Sequence, residues 1–330
     1  VRQRVGRGSL LSAGVFLTLA GCFGTASDAG AAQTAGPAQG HFVISAGPFG
    51  EEHHAWGDSL ATEIARQGSG ASLGVVDSSG SVSNLRRLTI GTADLAIATA
   101  DTLSPTPDSC AEQVSAGAID ENRVPLRAVS RIYEDFLQVL VRGTAPIESV
   151  ADLAGRPVAV GQTGSGSALM ACRVLQTAGV EVESKRLGLD AGIEALNAGS
   201  VDAVFWSGGL PTRTIESANE DEPLRLLSLG PLAEQLRQEY GPGYRPAAVP
   251  DGVYGSTEQI TTVASPNILV SRADADPAMV NLVLETIFSR QDEMTEQVPA
   301  AVATDRRTAI LTGEMDLHPA ATDYYRTTHL

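Results

Sequence analysis

The densest group of reactive side chains in the chain is Glu51, Glu52, His53 and His54. Carboxylates beside imidazoles could bind a metal or move a proton. Adjacent residues rarely point at one ion, however, and the HExxH spacing of a zinc hydrolase is missing, so no metal is expected here. His53, His54 and Trp56 lie at the start of a predicted helix, where a ring could donate to a ligand or stack on it. Asp94 and Asp202 invite an acid/base reading because carboxylates can work as pairs. Each precedes a predicted buried strand at the end away from a ligand cleft, which favours turn or capping roles. The loop GQTGSGS (161–167) lacks the Lys of a P-loop, and Ser165 lacks the flanking glycines of a nucleophile elbow. Five histidines assemble no Ser/His/Asp arrangement. No catalytic residue and no cofactor is expected.

The elements that would position ligand contacts are clearer. The stretch SSGSVSNLRRLTIGTADLAIA (78–98) reads as a small-residue turn, a short helix and a buried strand. Ser79, Gly80 and Ser81 supply a helix start with free backbone N–H groups, where an anionic or polar group is held most easily. Val82, Leu85 and Leu88 give that helix one apolar side. The order helix end, Gly, small residue, Asp, apolar strand returns in AGSVDAVF (198–205), so the chain reads as two related halves. The first runs strand, loop, helix (56–66), strand (73–77), helix, strand. The second has a strand at 157–161, the loop bearing Thr163, Gly164, Ser165 and Ser167, a helix over 168–178, a strand near 186–189, a helix and a strand at 201–206. Alternating strands and helices imply parallel sheets in an α/β fold, with ligands at the C-terminal ends of the strands. Gly209, Pro211 and Thr212 follow the last strand at such an edge, and Arg213 beside them could pair with a carboxylate.

The apolar runs 136–141 and 262–270 would carry the chain from one domain to the other and back, giving a cleft with a hinge. This sets domain 1 at 41–138 plus 266–330 and domain 2 at 139–265. The remaining C-terminal segments read as helices over 277–296, 300–311 and 319–327, with Asp276 and Pro277 as N-cap and first residue of the first.

At 330 residues and 43% apolar content the chain can bury a large core. A formal charge of -16 excludes a nucleic-acid partner, because phosphate binding needs a basic surface. Arg2, Arg4 and Arg7 precede an apolar run over 10–20 that fits a signal peptide. It ends in Leu19, Ala20, Gly21 and Cys22, which resembles a bacterial lipobox. That resemblance implies removal of residues 1–21 and a lipid anchor on Cys22, with palmitate among its acyl chains. Residues 22–40, rich in Ala, Gly, Ser and Thr, read as a flexible tether to the cell membrane. For Cys110 and Cys172 an extracytoplasmic setting favours a disulfide, the alternative being two separate buried thiols.

The order SSGSVSNLRRL, TADLAIATAD, VAVGQTGSGS, VDAVFWSGGLPT, AVPDGVYGSTEQITTVASPNILVSR and LHPAATDYY resembles the TAXI family. These are extracytoplasmic solute receptors associated with TRAP transporters. The resemblance spans residues 41–325 and implies a type II periplasmic-binding-protein fold without catalysis. It also implies capture of a small acidic solute, such as a glutamate-like amino acid or 2-oxoglutarate, for a TRAP-type permease. It places Ser45, Gly47, Phe49, Ser79, Gly80, Ser81, Thr163, Gly164, Ser165, Ser167, Gly209, Pro211 and Thr212 at the ligand. Here His53 and His54 stand where many relatives have two tyrosines, and Arg213 replaces a common proline. A lipoprotein that signals to a membrane histidine kinase is the alternative in the same fold. A secreted metal-binding protein or hydrolase is the alternative outside it.

Overall fold

The computed structural model describes residues 37–103, 108–114, 124–257 and 259–328. The expected signal peptide, Cys22 and residues 22–36 of the expected tether lie outside the described residues. At the end of that tether Ala38 is buried and Gly40 opens the first strand, so fixed structure begins before residue 41.

Ten strands form one mixed sheet. They are β1 (Gly40–Ser45), β2 (Ala71–Val76), β3 (Leu95–Thr99), β4 (Leu126–Arg142), β5 (Pro157–Ala159), β6 (Glu183–Lys185), β7 (Ala203–Gly208), β8 (Leu224–Leu226), β9 (Arg245–Val249) and β10 (Ile260–Arg272). The order is β2-β1-β3-β10-β4-β7-β5-β6, with β8 beside β4 and β9 beside β10. β1 pairs in parallel with β2 and β3, and β5 pairs in parallel with β6 and β7. The long antiparallel strands β4 and β10 join these two sets. β4 pairs with β10 over residues 126–136 and then with β7 and β8 over 136–142. The runs expected to cross between halves lie in these two strands, 136–141 in the last part of β4 and 262–270 over most of β10. Pro266 cannot donate to the ladder and sits where the register shifts, as a proline inside a sheet must.

The helices are α1 (Glu52–Arg66), α2 (Ser81–Thr89), α3 (Ser109–Val114), α4 (Gly166–Ala178), α5 (Leu189–Asn197), α6 (Arg213–Asp221), α7 (Leu232–Tyr240), α8 (Pro277–Ser289), α9 (Gln291–Gln297) and α10 (Pro319–Thr328). They cover both faces of each strand set, which is why the strands read as apolar runs. Trp56, Leu60 and Ile64 of α1 pack with Ile44, Ile97 and residues of α8 to α10, while Leu85 and Leu88 of α2 cover the opposite face. In the other set Met170 and Val174 of α4 and Leu236 of α7 cover one face. Leu189 and Leu196 of α5 and Ile215 of α6 cover the other. A mixed α/β fold, expected from the sequence, is the fold observed.

Several expectations need correction. α1 begins at Glu52 instead of 56; its N-cap, Glu51, makes no side-chain capping bond, so the usual Ser, Thr, Asp or Asn start signal is missing. The strand expected at 186–189 is β6, three residues earlier, on the sheet edge where apolar residues are not required. The helix over 277–296 breaks at Arg290 into α8 and α9. No helix spans 300–311: a 3-10 turn at Pro299–Ala303 is followed by turns. There the Gln291 amide donates to the carbonyls of Ala301 and Thr304, and Asp305 accepts from the Arg307 N–H, so local side chains satisfy the backbone instead. A disulfide joins Cys110 of α3 to Cys172 of α4, with Cα atoms 5.7 Å apart. Val114 O accepts from Gly164 N and Asp108 pairs with Arg173, so residues 108–114 are fastened to α4.

Candidate functional site

The C-terminal ends of β1, β5 and β7 and the starts of α1, α2 and α4 converge on one cavity of about 30 Å³. Small-molecule pockets span roughly 300–1,000 Å³. The cavity as it stands is smaller than such a pocket.

One wall comes from the first strand set. Ser79, Gly80 and Ser81 line it at the start of α2, and Pro48, Glu51 and His53 line it at the start of α1. Asn84, fully buried, holds these loops together: Ser45 and Ser78 hydroxyls donate to its Oδ1, and its Nδ2 donates to Ile97 O. The other wall is Gly161, Gln162, Ser165, Gly166 and Ser167, with Gly188 before α5 and Trp206 and Ser207 of β7. Ser165 caps α4 by accepting from Ala168 N at 3.0 Å. Ser81 Oγ accepts from Thr99 N and Ser167 Oγ accepts from Ser207 N, which leaves both hydroxyl protons to donate. The walls meet closely. A Cβ on Gly80 (φ 121°) would lie 3.2 Å from Ser165 Cα, and one on Gly164 (φ 85°) 2.3 Å from Ser83 Oγ. Ser83 N also donates to Gly164 O at 2.9 Å.

Asp135 of β4, 2% exposed, forms the floor. Its Oδ1 accepts from Asn267 Nδ2 at 2.7 Å, and His53 Nε2 lies 3.4 Å from its Oδ2. Burial opposes a charge on His53, but Asp135, Glu51 and Glu52 outweigh it and hold the imidazole above its ordinary value. Burial pushes the Glu51 carboxyl up to about 8, and burial with Asp135 pushes Glu52 up to about 7. Burial, then the same carboxylates, lifts the Tyr133 hydroxyl well above its usual range. Among the described residues no Lys or Arg lines the cavity.

Of the residues expected at the ligand, the structure brings His53, Ser79, Gly80, Ser81, Ser165 and Ser167 to the cavity wall. Ser45 and Gly164 lie behind it. Gly47 backs His53, with a Cβ there 3.3 Å from the His53 Cβ. The others are elsewhere. Phe49 is 78% exposed at the loop tip, its ring edge-on to His54. His54 is held between Asp58 (2.9 Å) and Asp77 (2.8 Å), so the two imidazoles do not converge on one point. Thr163 and Pro211 are exposed. Gly209 packs on the Glu52 carboxylate, and Thr212 fixes its own loop by donating to Gly209 O while accepting from Gln138 and Trp206. Arg213 is exposed at the first turn of α6, outside the cavity lining, because α6 starts there and turns it to the surface.

Asp94 and Asp202 tie strand entries. Asp94 Oδ2 accepts from Val43 N, and Asp202 pairs with Arg142 and Arg156. Their backbone N–H groups donate at matching places, to Val43 O and Pro157 O, as expected of related halves. Sequence reasoning missed Glu51, Asp135, Gly188, Trp206 and Ser207 as lining residues. An acid inside the apolar run of β4 was the available signal.

Residues 44–327 match the family model described as the NMT1-like family. Among solved structures the chain is similar to the periplasmic aliphatic sulphonate binding protein SsuA from Escherichia coli. The identity is 17% over 88% of this chain and 84% of that one, with a TM-score of 0.45. The alkanesulfonate-binding protein SsuA from Xanthomonas axonopodis pv. citri, bound to MOPS, matches at 17% identity over 88% and 84%, with a TM-score of 0.49. The GluR0 ligand-binding core from Nostoc punctiforme, in complex with L-glutamate, matches at 15% identity over 78% and 98%, with a TM-score of 0.44.

Proposed function

The chain belongs to the NMT1-like family, and from that membership we propose that it is a non-catalytic, extracytoplasmic solute-binding receptor. It takes a small carboxylate between two domains, 41–138 plus 266–330 and 139–265, and delivers it to a membrane transporter of the TRAP type. This is the role of the TAXI subfamily, and a lipid on Cys22 would hold the receptor at the membrane. The observation that carries the reading is the meeting of two helix starts, α2 and α4, from different strand sets at one cavity. Ser83 N and Ala168 N already donate to Gly164 O and Ser165 Oγ, and the remaining first-turn N–H groups, those of Ser81, Val82, Gly166 and Ser167, favour negative charge, so together they form a two-sided cradle for a carboxylate. Affinity then comes from backbone N–H groups, serine hydroxyls and exclusion of water as the walls close.

Binding to the folded state alone stabilises it by about 2.7 kcal/mol at one hundred times the dissociation constant, or several degrees in Tm. Purified protein, stripped of bound solute by unfolding and refolding, is melted with a panel of amino acids and organic acids. At least one should raise Tm in a saturable way. A flat response across the panel overturns the receptor reading.

A further inference from the structure

We propose that the Cys110–Cys172 bridge is a positioning device for the candidate site: it seats α3 on α4 so that Val114 holds the Gly164 loop against α2, and breaking it costs solute affinity as well as stability. This rests on the receptor reading and gives a part in it to residues 108–114, none of which lines the cavity.

α3 has six residues, too few for a helix to persist in water by itself. Three ties seat it on α4. The bridge joins Cys110, fully buried, to Cys172, which is half-buried. Asp108 caps α3 by accepting from the N–H groups of Cys110 and Ala111, and its Oδ2 accepts from Arg173, 2.6 Å from Nη2 and 3.0 Å from Nε. The Gln176 amide donates to Ser109 Oγ. Only the bridge is covalent, and Val114 lies one helical turn beyond Cys110, so the bridge fixes where the Val114 carbonyl sits.

Carbonyls of a last helical turn lack intrahelical partners. Val114 O accepts from Gly164 N at 3.1 Å, and Gly164 O accepts from Ser83 N at 2.9 Å. Gly164 therefore passes the position of α3 on to α2. Its φ of 85° suits glycine and turns its N–H and C=O toward these two neighbours. There is no slack at this point: a Cβ on Gly164 would lie 2.3 Å from Ser83 Oγ and 2.7 Å from Ser79 Oγ, and Ser79 lines the cavity. Ser165, the next residue, caps α4 on the facing wall. With α3 unseated the Gly164 N–H loses its acceptor, and the loop that presses on α2 relaxes away from it.

Amide hydrogen exchange separates positioning from stability. The full chain is compared oxidised, reduced with dithiothreitol, and as the Cys110→Ser/Cys172→Ser double variant. A bridge that only stabilises speeds exchange by one common factor at amides that open with the whole fold, such as those of the buried strand β3, and leaves locally opening amides unchanged. A positioning bridge adds a further rise of about three- to ten-fold at Gly164 and Ser83, as loss of one hydrogen bond does. That rise missing at Ser83, even with Gly164 released, overturns the inference and leaves the receptor reading standing. If the double variant does not fold, the reduced unaltered protein decides. In calorimetry, L-glutamate or 2-oxoglutarate bound by the oxidised protein should bind the reduced protein at least about three-fold more weakly. Equal affinity also overturns the inference. Binding of neither acid counts against the carboxylate reading alone, and the exchange at Gly164 and Ser83 still decides the role of the bridge.

Discussion

Glu51 is held further from its ordinary state than Glu52 beside it. Burial raises its pKa from 4.5 to about 8, against the opposing pull of His53 and with Asp190 and Asp135 adding to the rise. The folded chain therefore holds a proton that the unfolded chain has lost between those pH values. The resulting contribution to stability is complete below about 4.5 and is lost as pH rises through about 8. Glu51→Gln removes this titration. Its Tm should fall less than that of the unaltered protein between pH 5 and 9, whereas parallel curves would contradict the assignment. Asn84 works without charge, as the common acceptor for Ser45 and Ser78. Replacing it with Ala strands buried groups, so Asn84→Ala should cost about 1–3 kcal/mol in urea unfolding. Neither role was legible from residue type alone. Glu51 stood out only as one of four adjacent potential metal ligands, and the helical spacing of SNLRRL does not mark Asn84 as facing inward.

At the scale of elements, regular hydrophobic spacing was readable and irregular ends were not. The buried strand β3 and the short helix α2 follow directly from apolar runs and a Gly stop. The start of α1 carries no capping side chain, and the turns after residue 300 depend on side-chain hydrogen bonds that leave no periodic trace. The serine and glycine loops were legible as meeting at one edge because parallel strands send their ends there. The acidic floor was not, because Asp135 arrives from a strand shared by both sets. Contact between the α2 and α4 starts requires Gly80. In Gly80→Ala the positive φ costs about 1–2 kcal/mol, and the new Cβ presses on the Ser165 backbone. Solute affinity, measured by calorimetry, should therefore fall by at least about ten-fold, beyond any loss in Tm. Equal affinity would show that the two helix starts need not touch.

For the whole molecule, the two related halves and the two long connecting strands were visible in the sequence. The bridge between Cys110 and Cys172 was favoured too, whereas the helical form of 109–114 and its hydrogen bond to Gly164 were not. The disulfide closes a loop with a sequence separation of 62 residues. A loop of that length contributes about 4 kcal/mol through the unfolded chain. Reductant should therefore lower Tm by several degrees, and Cys110→Ser should reproduce the shift; an unchanged Tm would show that the bridge adds nothing.

The same bond gives the chain a mechanical property. Pulled from its two ends in the oxidised form, the molecule carries tension across the disulfide and bypasses the ring between Cys110 and Cys172, which contains β4 and β5 but not β10. At about 3.6 Å per residue, roughly 220 Å of contour length stays hidden until the bridge is reduced. Single-molecule stretching with and without reductant should differ by that length. The cavity floor at Asp135 lies inside that unloaded ring.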